Sequence, residues 1–289
     1  MRSPHGAGDA AGGVPADVLA HLDLVARDDA DVHEVGPFTQ FVGRGAWGYY
    51  ARPRLGTTHP FTADDVRALA AAQTRLGSSH DLEWVAEEAP TLEAAAREAG
   101  LHVDRHPLLV LPPGVEPVAP ATDLEVRLLG ADDADLPAVH ACISLGFATP
   151  GTAVGEAGAV ERDQRAAGPQ HSLDQVRGML RAGTRVQAGA FDVGGVGGVG
   201  AVGGGAHHPV QRDGVSATEI VGVATLPASR RRGAAGALTA LLARHARAAG
   251  VRTVFCSASD EAVARVYEAV GFVRVGTALA TTTCEDRAP

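Results

Sequence analysis

The stretch Leu226-Pro227-Ala228-Ser229-Arg230-Arg231-Arg232-Gly233-Ala234-Ala235-Gly236 combines small residues with consecutive cations. An apolar run, Thr218–Leu226 (TEIVGVATL), enters it, and an amphipathic stretch, Ala234–Ala249, leaves it. A strand feeding a helix through such a turn leaves backbone N–H groups unpaired at the helix start, aimed at an anion. Gly233, Ala234, Ala235 and Gly236 are small enough to let a pyrophosphate approach the backbone, and Arg230, Arg231 and Arg232 place positive charge beside it. The competing reading is a tight strand-to-helix turn with solvated arginines.

The elements that must position this turn follow from periodicity. Leu238, Leu241, Leu242 and His245 fall at i, i+3, i+4 and i+7, an amphipathic helix closed by Gly250. Val251–Ser257 reads as a strand, and Val263, Val266, Tyr267 and Val270 repeat the helical spacing up to Gly271. Val273–Thr283 reads as a last strand. Upstream, Leu124–Leu129 is a strand, Asp132–Phe147 a helix, Ala148–Gln170 a polar loop and Ser172–Arg181 a helix. Arg185–Val193 and Val196–Ala206 flank Gly194-Gly195, a hairpin signal. The order β-α-α-β-β-β-α-β-α-β is a mixed α/β architecture.

Arg230-x-x-Gly233-x-Ala235 resembles the CoA-pyrophosphate signature (Q/R-x-x-G-x-G/A) of the GNAT acetyltransferase superfamily. About 25 residues further on, Asp260-x6-Tyr267-Glu268-x2-Gly271-Phe272 is similar to that family's last helix, which ends in Y-E-x-x-G-F. The resemblance covers Asp123–Asp286, with Asp260 where the family more often has asparagine and Ala235 where glycine is commoner. It implies a GNAT-like mixed sheet flanked by helices, with acetyl-CoA as cosubstrate and a primary amine of a small molecule or peptide as acceptor. A non-catalytic acyl-CoA sensor on the same fold, or a nucleotide- or phosphate-binding protein using the same turn, are the alternatives.

The implied mechanism assigns further residues. Ala224, Thr225 and Leu226 lie on the strand beside the CoA, and an N–H of Thr225 or Leu226 stabilises the tetrahedral oxyanion. Arg230 to Gly236 and Asp260 complete the cofactor contacts. Tyr267 is the candidate general acid for the departing thiolate, although its spacing equally suits the apolar stripe of its helix. A protonated amine cannot attack until it loses a proton, and Glu219 is the candidate base, acting directly or through water. His207 and His208 are its rivals, and their other reading is a polar loop end.

Several function classes fall away. A formal charge of −9 disfavours general nucleic-acid binding, and the arginine run lacks interleaved aromatics. All 25 basic residues are arginine. Cys142, Cys256 and Cys284 form no CxxC pair, which fits free thiols in a reducing cytoplasm. Cys256 reads as a buried small hydrophobe. No run reaches the roughly 20 apolar residues of a membrane span, and no metal site is expected. The glycines of Gly194–Gly205 are not followed by a helix, so they are not a dinucleotide fingerprint. A homodimer is compatible with this class of fold.

Residues 1–13 read as a flexible leader, 14–110 as a degenerate GNAT-like domain, 111–122 (LPPGVEPVAPAT) as a linker and 123–289 as the catalytic domain. Asp64–Gly77 and Thr91–Gly100 read as helices and Leu82–Ala86 as a strand. Aligning Gly100-Leu101 with Gly271-Phe272 makes this an echo of the second part, with Ala96 opposite Tyr267. This part has no R-x-x-G-x-G/A before its first helix, so it should bind no CoA of its own. Trp47, Tyr49, Tyr50 and Trp84 are its core, or an aromatic wall facing the acceptor.

Overall fold

In the computed structural model, residues 13–169, 172–194 and 200–282 are described. Most of the expected leader, and Cys284, lie outside them. In chain order the first part contains α1 (Ala16–Asp28), β1 (Ala30–Val35), β2 (Phe38–Gly43), β3 (Arg52–Pro53), α2 (Ala63–Leu76), β4 (Glu83–Val85), α3 (Leu92–Glu98) and β5 (His102–Leu111). The second contains β6 (Glu125–Leu129), α4 (Leu136–Ala148), α5 (Ala159–Ala167), α6 (Leu173–Ala182), β7 (Val186–Asp192), β8 (Gly200–Arg212) and β9 (Val215–Thr225). It ends with α7 (Ala234–Ala248), β10 (Thr253–Ser257), α8 (Glu261–Val270) and β11 (Val273–Thr282).

The supposed loop Ala148–Gln170 contains a helix, α5. Its N-terminus is formed by the Glu161 carboxylate, which accepts from the Gly158 N–H at 2.8 Å. The second strand of the glycine-rich hairpin runs on to Arg212, so His207 and His208 are strand residues rather than a loop end. Its glycines serve packing. A Cβ at Gly204 would stand 2.5 Å from Val139 of α4, and one at Gly189 would stand 2.9 Å from the same side chain. The missing side chains let α4 lie close on the sheet.

The copies suspected from sequence are present. α2, β4, α3 and β5 recur as α7, β10, α8 and β11, displaced by 171 residues, the distance from His102 to Val273. They are interlocked, because one sheet carries the order β4-β11-β5-β10-β9-β8-β7-β6. Each copy's last strand lies beside the other's penultimate one, β11 on β4 and β5 on β10, and β5 and β11 pair antiparallel with each other. Residues 112–122 contain no helix or strand, yet the chain on either side of them shares this sheet.

On one face α7 buries Leu238, Leu242 and Ala243 against Ala188, Val202, Ile220 and Val254. A fully buried leucine contributes roughly 1.5–3 kcal/mol, so this seam holds the helix start where the strands end. On the other face α1 places Val18 with Phe255, Val110 and Ala217, while α4 covers the far ends of β8 and β9. No helix among the described residues is long and apolar enough to cross a membrane.

Candidate functional site

The strand β9 leaves the sheet through a short 3-10 turn, Pro227–Ser229, and reaches α7 across Gly233, whose φ of 82° is left-handed. No side chain caps this helix. The first helical bond is from Ala237 N–H to the Gly233 carbonyl. The N–H groups of Gly233, Ala234, Ala235 and Gly236 therefore find no acceptor among the described residues. This is the unsatisfied helix start that an anion can complete.

The three arginines do not act alike. Arg230 donates to the carbonyls of Gly146, Thr149 and Ala153, binding the end of α4 and the loop beyond it. Arg232 is held by Asp123 on one side and by Asp192, at 2.7 Å, on the other. Both charges are already engaged. Arg231 is exposed, has no hydrogen-bond or ion-pair partner among the described residues, and adopts a left-handed φ of 69°, a strained conformation for a side chain of its size.

The small residues also have a structural task. A Cβ at Gly233 would meet the Ala121 carbonyl at 2.9 Å, and one at Gly236 would meet Pro120 at 2.8 Å. The segment ahead of β6 therefore presses on the back of the turn, fastened by Thr122 Oγ1 donating to the Arg232 carbonyl at 2.7 Å. A bulky residue at Gly233 would disturb this contact, whatever it did to a ligand. Ala235 is only partly buried.

Beside the turn the sheet opens. β9 and β10 pair in parallel only from Ala217/Thr253 to Glu219/Phe255. Beyond that point β9 carries an extra residue against β8, between Val221 and Ala224, with Gly222 at a φ of 64°. Such a bulge bends a strand and redirects its polar groups. Of the two expected oxyanion donors, Leu226 is spent, since its N–H donates to the Val202 carbonyl at 2.8 Å. Alternation along the ladder turns the neighbouring Thr225 N–H away from β8. Ala224 is buried beside Gly146 of α4.

Glu219 sits where the ladder ends. No hydrogen bond or ion pair holds its carboxylate among the described residues, and burial pushes its pKa up to about 8. The Glu83 carboxylate adds to that rise, and the Arg52 guanidinium opposes it. Arg52 and Glu83 are themselves an ion pair from the amino-terminal copy. Tyr267 packs with Phe272 in the main core and is 5% exposed, and no hydrogen bond engages its hydroxyl among the described residues. Its phenol is pushed far up by burial, then by Cys256 and Glu219, so it remains protonated. The apolar-stripe reading of Tyr267 and the proton-donor reading are thus compatible. Cys256 is buried and its thiol is pushed up by that burial, which leaves it unreactive.

Two sequence candidates take other duties. Asp260 caps α8, its Oδ1 accepting from Ala262 N–H at 2.7 Å and Val263 N–H at 2.9 Å. His207 is buried, bonded through Nδ1 to Thr218 and through Nε2 to His245, and burial lowers its pKa to about 3. His208 accepts at Nε2 from Arg185, 2.8 Å away. Neither histidine is free to take a proton from an acceptor. The groups missing from the sequence reading are Arg52, Glu83 and Arg185. Arg52 and Glu83 reach Glu219 from the amino-terminal copy, and Arg185 stands on the same face of the sheet, across β8 from it.

Comparisons with known proteins bear on the family and the fold. Residues 159–272 match the model of the acetyltransferase (GNAT) family. No curated protein matches the chain. Among solved structures, the chain is similar to a GCN5-related N-acetyltransferase from Kribbella flavida at 19% identity and a TM-score of 0.64. That likeness covers 93% of this chain and 95% of that one. A GCN5-related N-acetyltransferase-like protein from Streptococcus suis 89/1591 is 12% identical, with a TM-score of 0.51 and coverage of 92% and 98%. A tandem GNAT protein from the clavulanic acid biosynthesis pathway is 15% identical, with a TM-score of 0.50 and coverage of 85% and 78%. At these identities the structural likeness is one of fold, and it extends over both copies. Residues 159–272 of this chain thus form a domain of the GNAT family, an acyl-transfer family, set in a tandem GNAT-like fold.

Proposed function

We propose that the protein is an acetyl-CoA-dependent N-acetyltransferase acting on a primary amine of a small molecule or peptide. The observation that carries this reading is the uncapped start of α7 beside the opening between β9 and β10. Four N–H groups without an acceptor among the described residues stand there with Arg231, and further back along β9, where its pairing with β10 stops, lies Glu219, whose carboxylate has no partner among the described residues. Acetyl-CoA would supply an activated acetyl thioester, and its pyrophosphate suits the N–H groups of Gly233–Gly236.

The chain's own groups have defined tasks in that reaction. Glu219 takes a proton from the ammonium form of the acceptor, and its raised pKa brings its basicity close to that task. The Thr225 N–H faces the oxyanion that develops when nitrogen bonds to the acetyl carbon. Tyr267 returns a proton to the sulfur as the carbon–sulfur bond breaks. Incubation with acetyl-CoA and a panel of aminoglycosides, polyamines, amino acids and peptides, read by mass spectrometry, tests this. An N-acetylated product and stoichiometric free CoA are expected. Tight CoA binding without product from any amine would favour the sensor instead.

A further inference from the structure

Arg185 stands just ahead of β7 and is only partly exposed. Its Nε and Nη2 donate to Gln187 Oε1 at 3.0 and 2.9 Å, and its Nη1 donates to His208 Nε2 at 2.8 Å. The Trp47 ring lies 5.7 Å from the guanidinium carbon. None of these partners is negative. His208 has to be neutral to accept, and burial keeps it so. His140 nearby is likewise driven toward its neutral form, by burial and then by Arg185 itself.

Every other described arginine that is not exposed has a negative or carbonyl partner. Arg230 and Arg247 are held by main-chain carbonyls, and Arg52, Arg127, Arg162, Arg177 and Arg232 by carboxylates. A partly buried cation without a counter-charge is costly, and this one has neutral neighbours on each side. Three of its five N–H donors are used, which leaves two for a ligand.

Its place relative to Glu219 follows from register. His208, which touches Arg185, is the cross-strand partner of Glu219 in the β8–β9 ladder, and paired residues share a face of the sheet. That face is crossed by α1, whose His21 Nε2 donates to the His208 carbonyl at 2.7 Å, and by α4. A carboxylate unpaired among the described residues and an uncompensated guanidinium therefore stand on one face of the sheet, on either side of β8.

We propose that Arg185 binds a carboxylate on the acceptor, so that the substrate class is amines that also carry a carboxylate. The ammonium end goes to Glu219 and the carboxylate end to the two remaining N–H groups of Arg185. A single guanidinium among neutral groups matches a monoanion. This inference rests on the N-acetyltransferase reading for the role of Glu219, but the anion site can be measured without turnover.

The probes are ω-amino acids from glycine to 6-aminohexanoate and the dipeptide Gly-Gly, each against its own carboxamide. Thermal stabilisation of the full chain is measured first, without acetyl-CoA, for the wild type, Arg185→Gln and Arg185→Lys. At least one carboxylate should stabilise the wild type more than its amide does, and Arg185→Gln should erase the difference. Where acetylation occurs, kcat/KM for that acceptor should fall about 10- to 100-fold in Arg185→Gln, mainly through KM. Arg185→Lys should recover part of the loss, and acetyl-CoA affinity should be unchanged in both variants. No carboxylate preference in the wild type, or a preference that survives Arg185→Gln, would overturn the proposal. Arg185-dependent binding without acetylation would sustain the anion site and instead remove the acetyltransferase reading.

Discussion

Thr62 of the amino-terminal copy stands where the carboxy-terminal copy has Gly233, and Asp64 and Asp65 stand opposite Ala235 and Gly236. The helices that follow, α2 and α7, are equivalent, but their first turns are finished in opposite ways. Thr62 Oγ1 accepts from Asp65 N–H at 3.3 Å, and the Asp65 carboxylate accepts from Thr62 N–H at 2.9 Å. That reciprocal cap is a local gain of about 1 kcal/mol, and its two acids repel a phosphate. α7 has no cap and no acid in its first turn. A helix start can be satisfied by its own side chains or left open; the amino-terminal copy does the first, and the open start of α7 is the one proposed to take the cofactor. The capped copy supplies support instead, namely a strand for the shared sheet and the Arg52–Glu83 pair beside Glu219.

The larger expected effect concerns Tyr267, whose counterpart in the capped copy is Ala96. Tyr267→Phe keeps the ring in the core and removes only the hydroxyl. If the phenol protonates the leaving sulfur, kcat should fall near the lower end of the roughly 10²–10⁴-fold range of general acid catalysis, because a thiolate of pKa near 8.5 can also leave unaided. Affinity for acetyl-CoA should hardly change. Wild-type turnover in this variant would reduce Tyr267 to the packing role that Ala96 plays in its own helix.

A smaller effect tests whether the supporting copy tunes the proposed base, Glu219. Only ionised Glu219 can accept a proton, so kcat/KM for the amine should rise with pH through about 8. Glu83→Gln removes the neighbouring charge that raises Glu219 and leaves Arg52 to favour its ionised form. The ascending limb should then move to lower pH. An unmoved limb would show that the amino-terminal copy does not act on the base.

Much of the carboxy-terminal half was legible because its signals are local. Residues at i, i+3, i+4 and i+7 with terminal glycines placed α7 and α8, and the apolar run before the turn placed β9. The hidden parts depend on distant contacts. β5 (HVDRHPLLVL) lies between two other strands although it contains Pro107, a residue normally excluded from such a position. Helix α5 begins on a glycine within a polar stretch, with no apolar stripe to announce it. At the turn, the sequence shows three equal arginines. Asp123, Asp192 and the end of α4, which occupy two of them, come from distant points of the chain. The family resemblance could name Glu219 and Tyr267 as candidates, but not the free state of their polar groups.

The most direct test of the division between the copies is calorimetric titration of the full chain with acetyl-CoA. The wild type should bind one molecule per chain. Ala235→Asp, which copies the acid of the capped helix onto a partly exposed position, should weaken binding about 100-fold or more by setting a carboxylate against the phosphates. Its melting temperature should stay close to that of the wild type. Two equivalent sites in the wild type, or undiminished affinity in a folded Ala235→Asp protein, would contradict the account.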